Sequence, residues 1–188
     1  MKCSVFIAIS ADGFIATNDG NVDWLQAVGR HDVDLGEKAD MGFLTYIASV
    51  DCMIMGRGCM EKLAEFKLTD EQWPYGTIRV IALSKSVSVV PNSLAGRVEI
   101  YSGEISNLIA ELEAEGFRHA YIDGGATITS FINEKRINEI TLTQAPVLLG
   151  SGKPLFGHIK HQVNLVQAQA QAFANDFIQT KYMLSYDN

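Results

Sequence analysis

The chain has 188 residues, 47% hydrophobic and 20% charged, the make-up of one globular domain large enough to bury a full core. A net charge of −7 at pH 7 excludes broad nucleic-acid binding, which relies on clustered Lys and Arg, so any anion has to be held by a local feature. Three cysteines (Cys3, Cys52, Cys59) without a Cys-x-x-Cys pair argue against a disulfide framework. The first apolar run is too short to span a membrane and lacks a small-residue cleavage site, so a cytoplasmic protein is expected.

In chain order, Val5-Phe6-Ile7-Ala8-Ile9 is apolar on both faces and predicts a central strand buried on both sides. Asp12-Gly13 breaks it, Phe14-Ile15-Ala16 forms a short extended return, and Asn18-Asp19-Gly20-Asn21 is a loop. Trp24 follows in a polar setting. Glu37–Val50 reads as a helix, with Phe43, Ile47 and Val50 at helical spacing and Leu44 beside them. Asp40 projects on that apolar side. Two placements are open for it: facing a ligand, where desolvation would raise its pKa, or at the margin near the helix start, where a carboxylate is welcome.

Cys52–Met55 predicts a second strand, closed by Gly56-Arg57-Gly58, and a helix follows over Cys59–Phe66. Arg57 supplies the charge a phosphate wants, or is a solvated surface arginine. Ile78–Leu83 predicts a third strand ending in Ser84-Lys85-Ser86, then come a short strand at Val98–Tyr101 and a helix over Ser106–Glu115. Phe117–Asn133 is the stretch around which the chain is organised. Ala120-Tyr121-Ile122 is a strand, Gly124-Gly125 turns the backbone, and Ile128, Phe131 and Ile132 mark a helix whose start offers N–H groups to an anion. Ile137–Ala145 alternates as a strand wet on one side, and Pro146–Phe156 is a loop. Val163–Ala172 and Phe177–Ser185 predict a hairpin around Asn175-Asp176. His158 and His161 have no third ligand nearby and read as surface histidines, so no metal is expected.

Three strand ends thus carry Gly56-Arg57, Ser84-Lys85 and Gly124-Gly125, and in open α/β sheets ligands bind outside the carboxyl ends of the strands. The expectation is a single domain over residues 1–188: a mixed, mainly parallel α/β sheet with helices on both faces and an antiparallel C-terminal hairpin.

The segments Ser10–Ala16, Met55-Gly56-Arg57, Leu83-Ser84-Lys85-Ser86, Ile122-Asp123-Gly124-Gly125 and Pro146–Phe156 recur in the order seen in the dihydrofolate reductase superfamily. Within it the chain resembles the reductase domain of bacterial riboflavin synthesis and its stand-alone relatives. The resemblance implies a reductase that holds NADPH. Gly56 and Arg57 would meet the pyrophosphate, with Gly124, Gly125, Ala126 and Thr127 on its other side. Ser84 and Lys85 would meet the adenosine 2′-phosphate, and Ala8 and Ile15 would lie along the nicotinamide. It also implies that Asp40 is the acid at the substrate, with Phe43 and Leu44 beside it and Trp24 covering the site.

Two departures qualify this. Gly58-Cys59-Met60 stands where the stand-alone relatives commonly have a Thr and an aromatic, and Phe6 stands where the riboflavin-pathway reductases carry a lysine, which argues against that pathway's pyrimidine. The expected function is hydride transfer from NADPH to a small heterocyclic or conjugated substrate. The alternative is a homodimeric nucleotide-binding module of the same fold without turnover, and a third reading is a purely structural dimer. Tighter binding of NADPH than of NADH and a homodimer are expected.

Overall fold

The computed structural model describes residues 1–186. The chain runs β1 (Lys2–Ser10), β2 (Phe14–Ala16), α1 (Trp24–Ala27), α2 (Phe43–Ile47), β3 (Cys52–Gly56), α3 (Arg57–Glu65), β4 (Arg79–Leu83), β5 (Glu99–Tyr101), α4 (Ile105–Ala114), β6 (His119–Asp123), α5 (Gly125–Asn133), β7 (Glu139–Ala145), β8 (Lys153–Pro154), β9 (Asn164–Ala172) and β10 (Ile178–Ser185). Eight strands form one sheet in the order β5-β4-β3-β6-β1-β7-β10-β9, while β2 and β8 pair as a separate ribbon. From β5 to β7 every pairing is parallel, and β10 runs antiparallel to both β7 and β9.

Strand alternation sorts the side chains into two cores. Cys52 and Ile54 of β3, with Ile81 and Ile122, point to the face covered by α4 (Leu108, Ile109, Leu112) and α5 (Ile128, Phe131, Ile132). Met53 and Met55, with Val80, Ala82 and Tyr121, point to the opposite face, where Ile47 of α2 and Met60 and Leu63 of α3 cover them. A sheet buried on both faces explains why these strands read as unbroken apolar runs.

Three expectations need correction. The helix predicted over Glu37–Val50 is interrupted: a single tight turn at Gly36–Lys38 is followed by Met41 and Gly42 with φ of 50° and 87°, and only Phe43–Ile47 is α-helical. Two successive left-handed residues cannot continue a right-handed helix. Strand β7 is not wet on one side: Glu139, Thr141 and Thr143 are all buried. Gln179 on the neighbouring β10 bonds Thr143 Oγ1 (2.8 Å) and the carbonyl of Met41 (3.0 Å), and Lys2 and Lys181 hold Glu139 at 3.1 and 3.0 Å. Burial works against that carboxylate's charge, but the hydrogen bonds from Lys181 and Lys2 outweigh it and keep its pKa low. His161 is not a plain surface residue either. It is half-buried, edge-on to Tyr186, with Nε2 enclosed and unpartnered among the described residues.

Candidate functional site

Parallel pairing brings the carboxyl ends of β1, β3, β4 and β6 to one edge of the sheet. Two turns meet there. Gly56 ends β3 and precedes α3, and Gly124 ends β6 and precedes α5; neither helix start has a side-chain cap. The turns interlock. A Cβ on Gly56 would come 2.7 Å from Thr127 Oγ1 at the start of α5, and one on Gly124 would come 2.4 Å from Cys59 Sγ in the first turn of α3. Gly124 also has φ 89°, so glycine is required there twice over. Gly125 lies against the β2–β8 ribbon: its Cβ would meet Pro154 O at 2.7 Å, Leu155 O at 2.8 Å and Ile15 Cδ1 at 3.3 Å.

A cleft of about 1400 Å³ opens above these turns. Of the residues proposed from sequence, Ala8, Ile15, Gly56, Arg57, Gly124, Gly125, Ala126 and Thr127 line it together. Ser84 and Lys85 line a smaller adjoining cleft of about 300 Å³. Converging, uncapped helix starts with a wide cleft over them fit a dinucleotide diphosphate, which backbone N–H groups and the positive ends of two helices favour. Arg57 lies at the rim, half-exposed, 3.5 Å from Glu61 of its own helix.

The structure does not bring Asp40, Trp24, Phe43 or Leu44 into the lining of this cleft. Asp40 sits in the turn before α2, where Oδ1 accepts the Gly42 N–H (3.0 Å) and Oδ2 the Leu44 N–H (2.7 Å). Those bonds, that from Leu44 first, hold its pKa below the ordinary value, opposite to the rise expected for an acid on a buried stripe. Leu44 is exposed, and Phe43 packs on Phe6 with ring centroids 5.8 Å apart. Trp24 packs beside Phe173 and Phe177, with Nε1 enclosed and unpartnered among the described residues; Val22 and Leu25 reach the cleft instead.

Four acids line the cleft: Asp19, Glu61 and Glu65 are exposed, and the one that is not is Asp123, the last residue of β6. Desolvation raises its pKa, against the opposing hydrogen bonds of Tyr121, the Gly124 N–H and the Cys59 thiol. The Tyr121 hydroxyl lies 3.0 Å from Phe6 O and 3.3 Å from Asp123 Oδ1. It has one proton, and the shorter contact is to a carbonyl that can only accept. That proton is shared between two acceptors, the Phe6 carbonyl and the Asp123 carboxylate, so the bond to Asp123 only partly offsets the desolvation that raises its pKa. The signal in the sequence was an Asp closing a strand directly before a glycine pair.

A second missed residue is Asp12. Its Oδ1 accepts Ser10 Oγ–H (2.6 Å) and the Leu149 N–H (3.1 Å), and its Oδ2 accepts the Gly150 N–H (2.7 Å). It pins the 146–152 loop to the end of β1, beside the cleft.

Comparison with known proteins places these features in a wider set. The family model described as the RibD C-terminal domain matches residues 2–179. The chain is 30% identical over 166 residues to the uncharacterized protein YwjB of Bacillus subtilis (strain 168), covering 87% of each. A crystal structure described as that of a candidate riboflavin biosynthesis protein from Shewanella sp. PV-4 superposes with a TM-score of 0.85 at 35% identity, over 99% of this chain and all of that one. RibD of Acinetobacter baumannii shares the fold, with a TM-score of 0.70 at 16% identity, and this chain spans 58% of its length.

Proposed function

This chain belongs to the RibD C-terminal domain family, and from that premise we propose that it is an NADPH-dependent reductase of a small heterocyclic or conjugated substrate. The observation that carries the reading is a desolvated acid, Asp123, set between two converging helix starts at the floor of one cleft. The N–H groups at Gly56–Arg57 and Gly124–Thr127 hold the diphosphate, and Ala8 and Ile15 flank the nicotinamide. When bound, the nicotinamide supplies a hydride to the acceptor. Asp123 Oδ holds the proton that accompanies it, and Tyr121 and Cys59 orient that carboxyl. The aromatic rings that line the cleft are Phe66 and Tyr75, while Phe6, where the riboflavin-pathway reductases carry lysine, stacks on Tyr46 outside that lining with centroids 4.9 Å apart. That environment suits a flat, weakly charged acceptor.

The test begins with NADPH titration followed by intrinsic fluorescence, then NADPH oxidation with a panel of heterocyclic and conjugated acceptors. Asp123→Asn is expected to keep cofactor affinity within about two-fold and to lower turnover by about 10²-fold, the scale of a positioned proton donor. A second readout needs no acceptor. Because burial raises the folded-state pKa of Asp123 above 3.8, its relative stabilisation is complete below 3.8 and is lost as pH rises through the folded value. Asp123→Asn removes that loss, so the thermal midpoints of mutant and wild type diverge toward neutral pH, with the mutant higher. Binding without oxidation of any acceptor favours the module that lacks turnover, and absence of NADPH binding overturns the reading.

A further inference from the structure

The smaller cleft shares Leu83, Ile105 and Ser130 with the main one, so a long ligand with its diphosphate at the two helix starts runs on into it past the end of β4. Its charges are uneven. Lys85 shares the lining with two acidic residues, Glu104 and Glu134. Lys85 Nζ lies 2.6 Å from Glu104 Oε1. Glu104 takes that position because Gly103 lets the chain turn tightly under Tyr101; a Cβ on Gly103 would come 2.6 Å from the Tyr101 hydroxyl oxygen. Glu104 is also the residue at which α4 begins, so its charge sits at the positive end of that helix. Ser84 Oγ is occupied as well, accepting the N–H groups of Val87 (2.9 Å) and Ser86 (3.3 Å). Of the two features of this cleft that would welcome a phosphate, the ammonium of Lys85 is paired with the Glu104 carboxylate, and the start of α4 carries that same charge beside it without a side-chain cap.

Resting on the reductase reading above, we infer that Glu104 is a specificity-determining residue at the adenosine end of the cofactor. Its carboxylate accepts a hydrogen bond from an unmodified ribose 2′-hydroxyl and opposes a 2′-phosphate. Lys85 offsets that repulsion, so the wild type's margin for NADPH over NADH is smaller than Ser84 and Lys85 alone imply. The chemistry is general: a carboxylate takes a ribose diol and rejects a phosphate dianion.

The experiment measures dissociation constants by calorimetry for NADPH, NADH, adenosine 2′,5′-bisphosphate and AMP on the wild type, Glu104→Gln and Lys85→Ala. The wild type is expected to separate NADPH from NADH by less than about three-fold. Removing a like charge a few ångströms from a phosphate should strengthen NADPH and the bisphosphate by on the order of ten-fold in Glu104→Gln. NADH and AMP should move by less than about two-fold or weaken. Lys85→Ala should weaken only the 2′-phosphorylated pair. A wild-type preference of ten-fold or more for NADPH, unmoved by Glu104→Gln, overturns the inference while leaving the reductase reading intact. Failure of all four ligands to bind the wild type overturns the reductase reading, and this inference with it.

Discussion

The carboxylate of Asp40 accepts two backbone N–H groups at the start of α2, the work of a helix cap. Asp40→Ala is expected to destabilise the fold by about 0.5–2 kcal/mol, the usual range for a lost cap. In a chain of this size that lowers the thermal midpoint by roughly 1–8 °C. NADPH affinity should be unchanged, because the residue lies outside the lining of the cleft. Calorimetric unfolding and cofactor titration of the mutant check both, and a loss of affinity with an unmoved midpoint would return Asp40 to the site. The spacing of Phe43, Ile47 and Val50 correctly marked the apolar side of this segment. It could not show the left-handed Met41 and Gly42 that end helical geometry just after Asp40, because a methionine carries no signal for positive φ. Asp123 went unnoticed for the opposite reason: its place was legible at the end of β6, but its desolvation comes from Tyr121, Cys59 and the neighbouring strands.

At the scale of elements, the site is two βα turns packed into each other and a short ribbon laid over one of them. A Cβ on Gly125 would run into backbone carbonyls of that ribbon and one on Gly58 would meet nothing within 4 Å, so the two glycines predict opposite outcomes. Gly125→Ala pushes a methyl against two carbonyl oxygens that cannot rotate away. It should cost about 1–3 kcal/mol, as overpacking does, and weaken NADPH binding by shifting the start of α5. Gly58→Ala, inside α3 with open space around it, should raise stability by about 0.5–1 kcal/mol. Thermal midpoints of the two variants measured together decide it. A Gly125→Ala protein as stable as the wild type would mean that the ribbon does not bear on the turn. The strands and both glycine turns were readable from alternation and composition alone. The β2–β8 pairing was not, because Lys153-Pro154 has no strand pattern; it is set by Phe14 and Ala16, 140 and 137 residues earlier in the chain.

At the scale of the molecule, the sheet ends on β9, Asn164–Ala172, a strand with no charged residue and with Leu165 and Val166 49% and 39% exposed. A long uncharged edge invites pairing with another strand. A homodimer joined through this edge is expected, with a sedimenting mass twice the 20.6 kDa of the chain at micromolar concentration. Val166→Lys should shift it toward monomer, and a wild type that sediments as a monomer would refute the assignment. Among the described residues no helix is long and apolar enough to cross a membrane.

The sequence by itself determined what depends on neighbours along the chain: which segments are buried strands, where glycine turns follow them, and that the last two strands return as a hairpin. These follow from side-chain period and backbone freedom, which are local properties. The tertiary structure decided what depends on residues far apart. It set Gly56 against Thr127 and Gly124 against Cys59, desolvated Asp123 while leaving Asp40 among backbone N–H groups, and placed Glu104 on Lys85. Electrostatics and close packing act through space, so the same aspartate reads alike in a sequence whether its carboxyl ends in water, on a helix start or at the floor of a cleft.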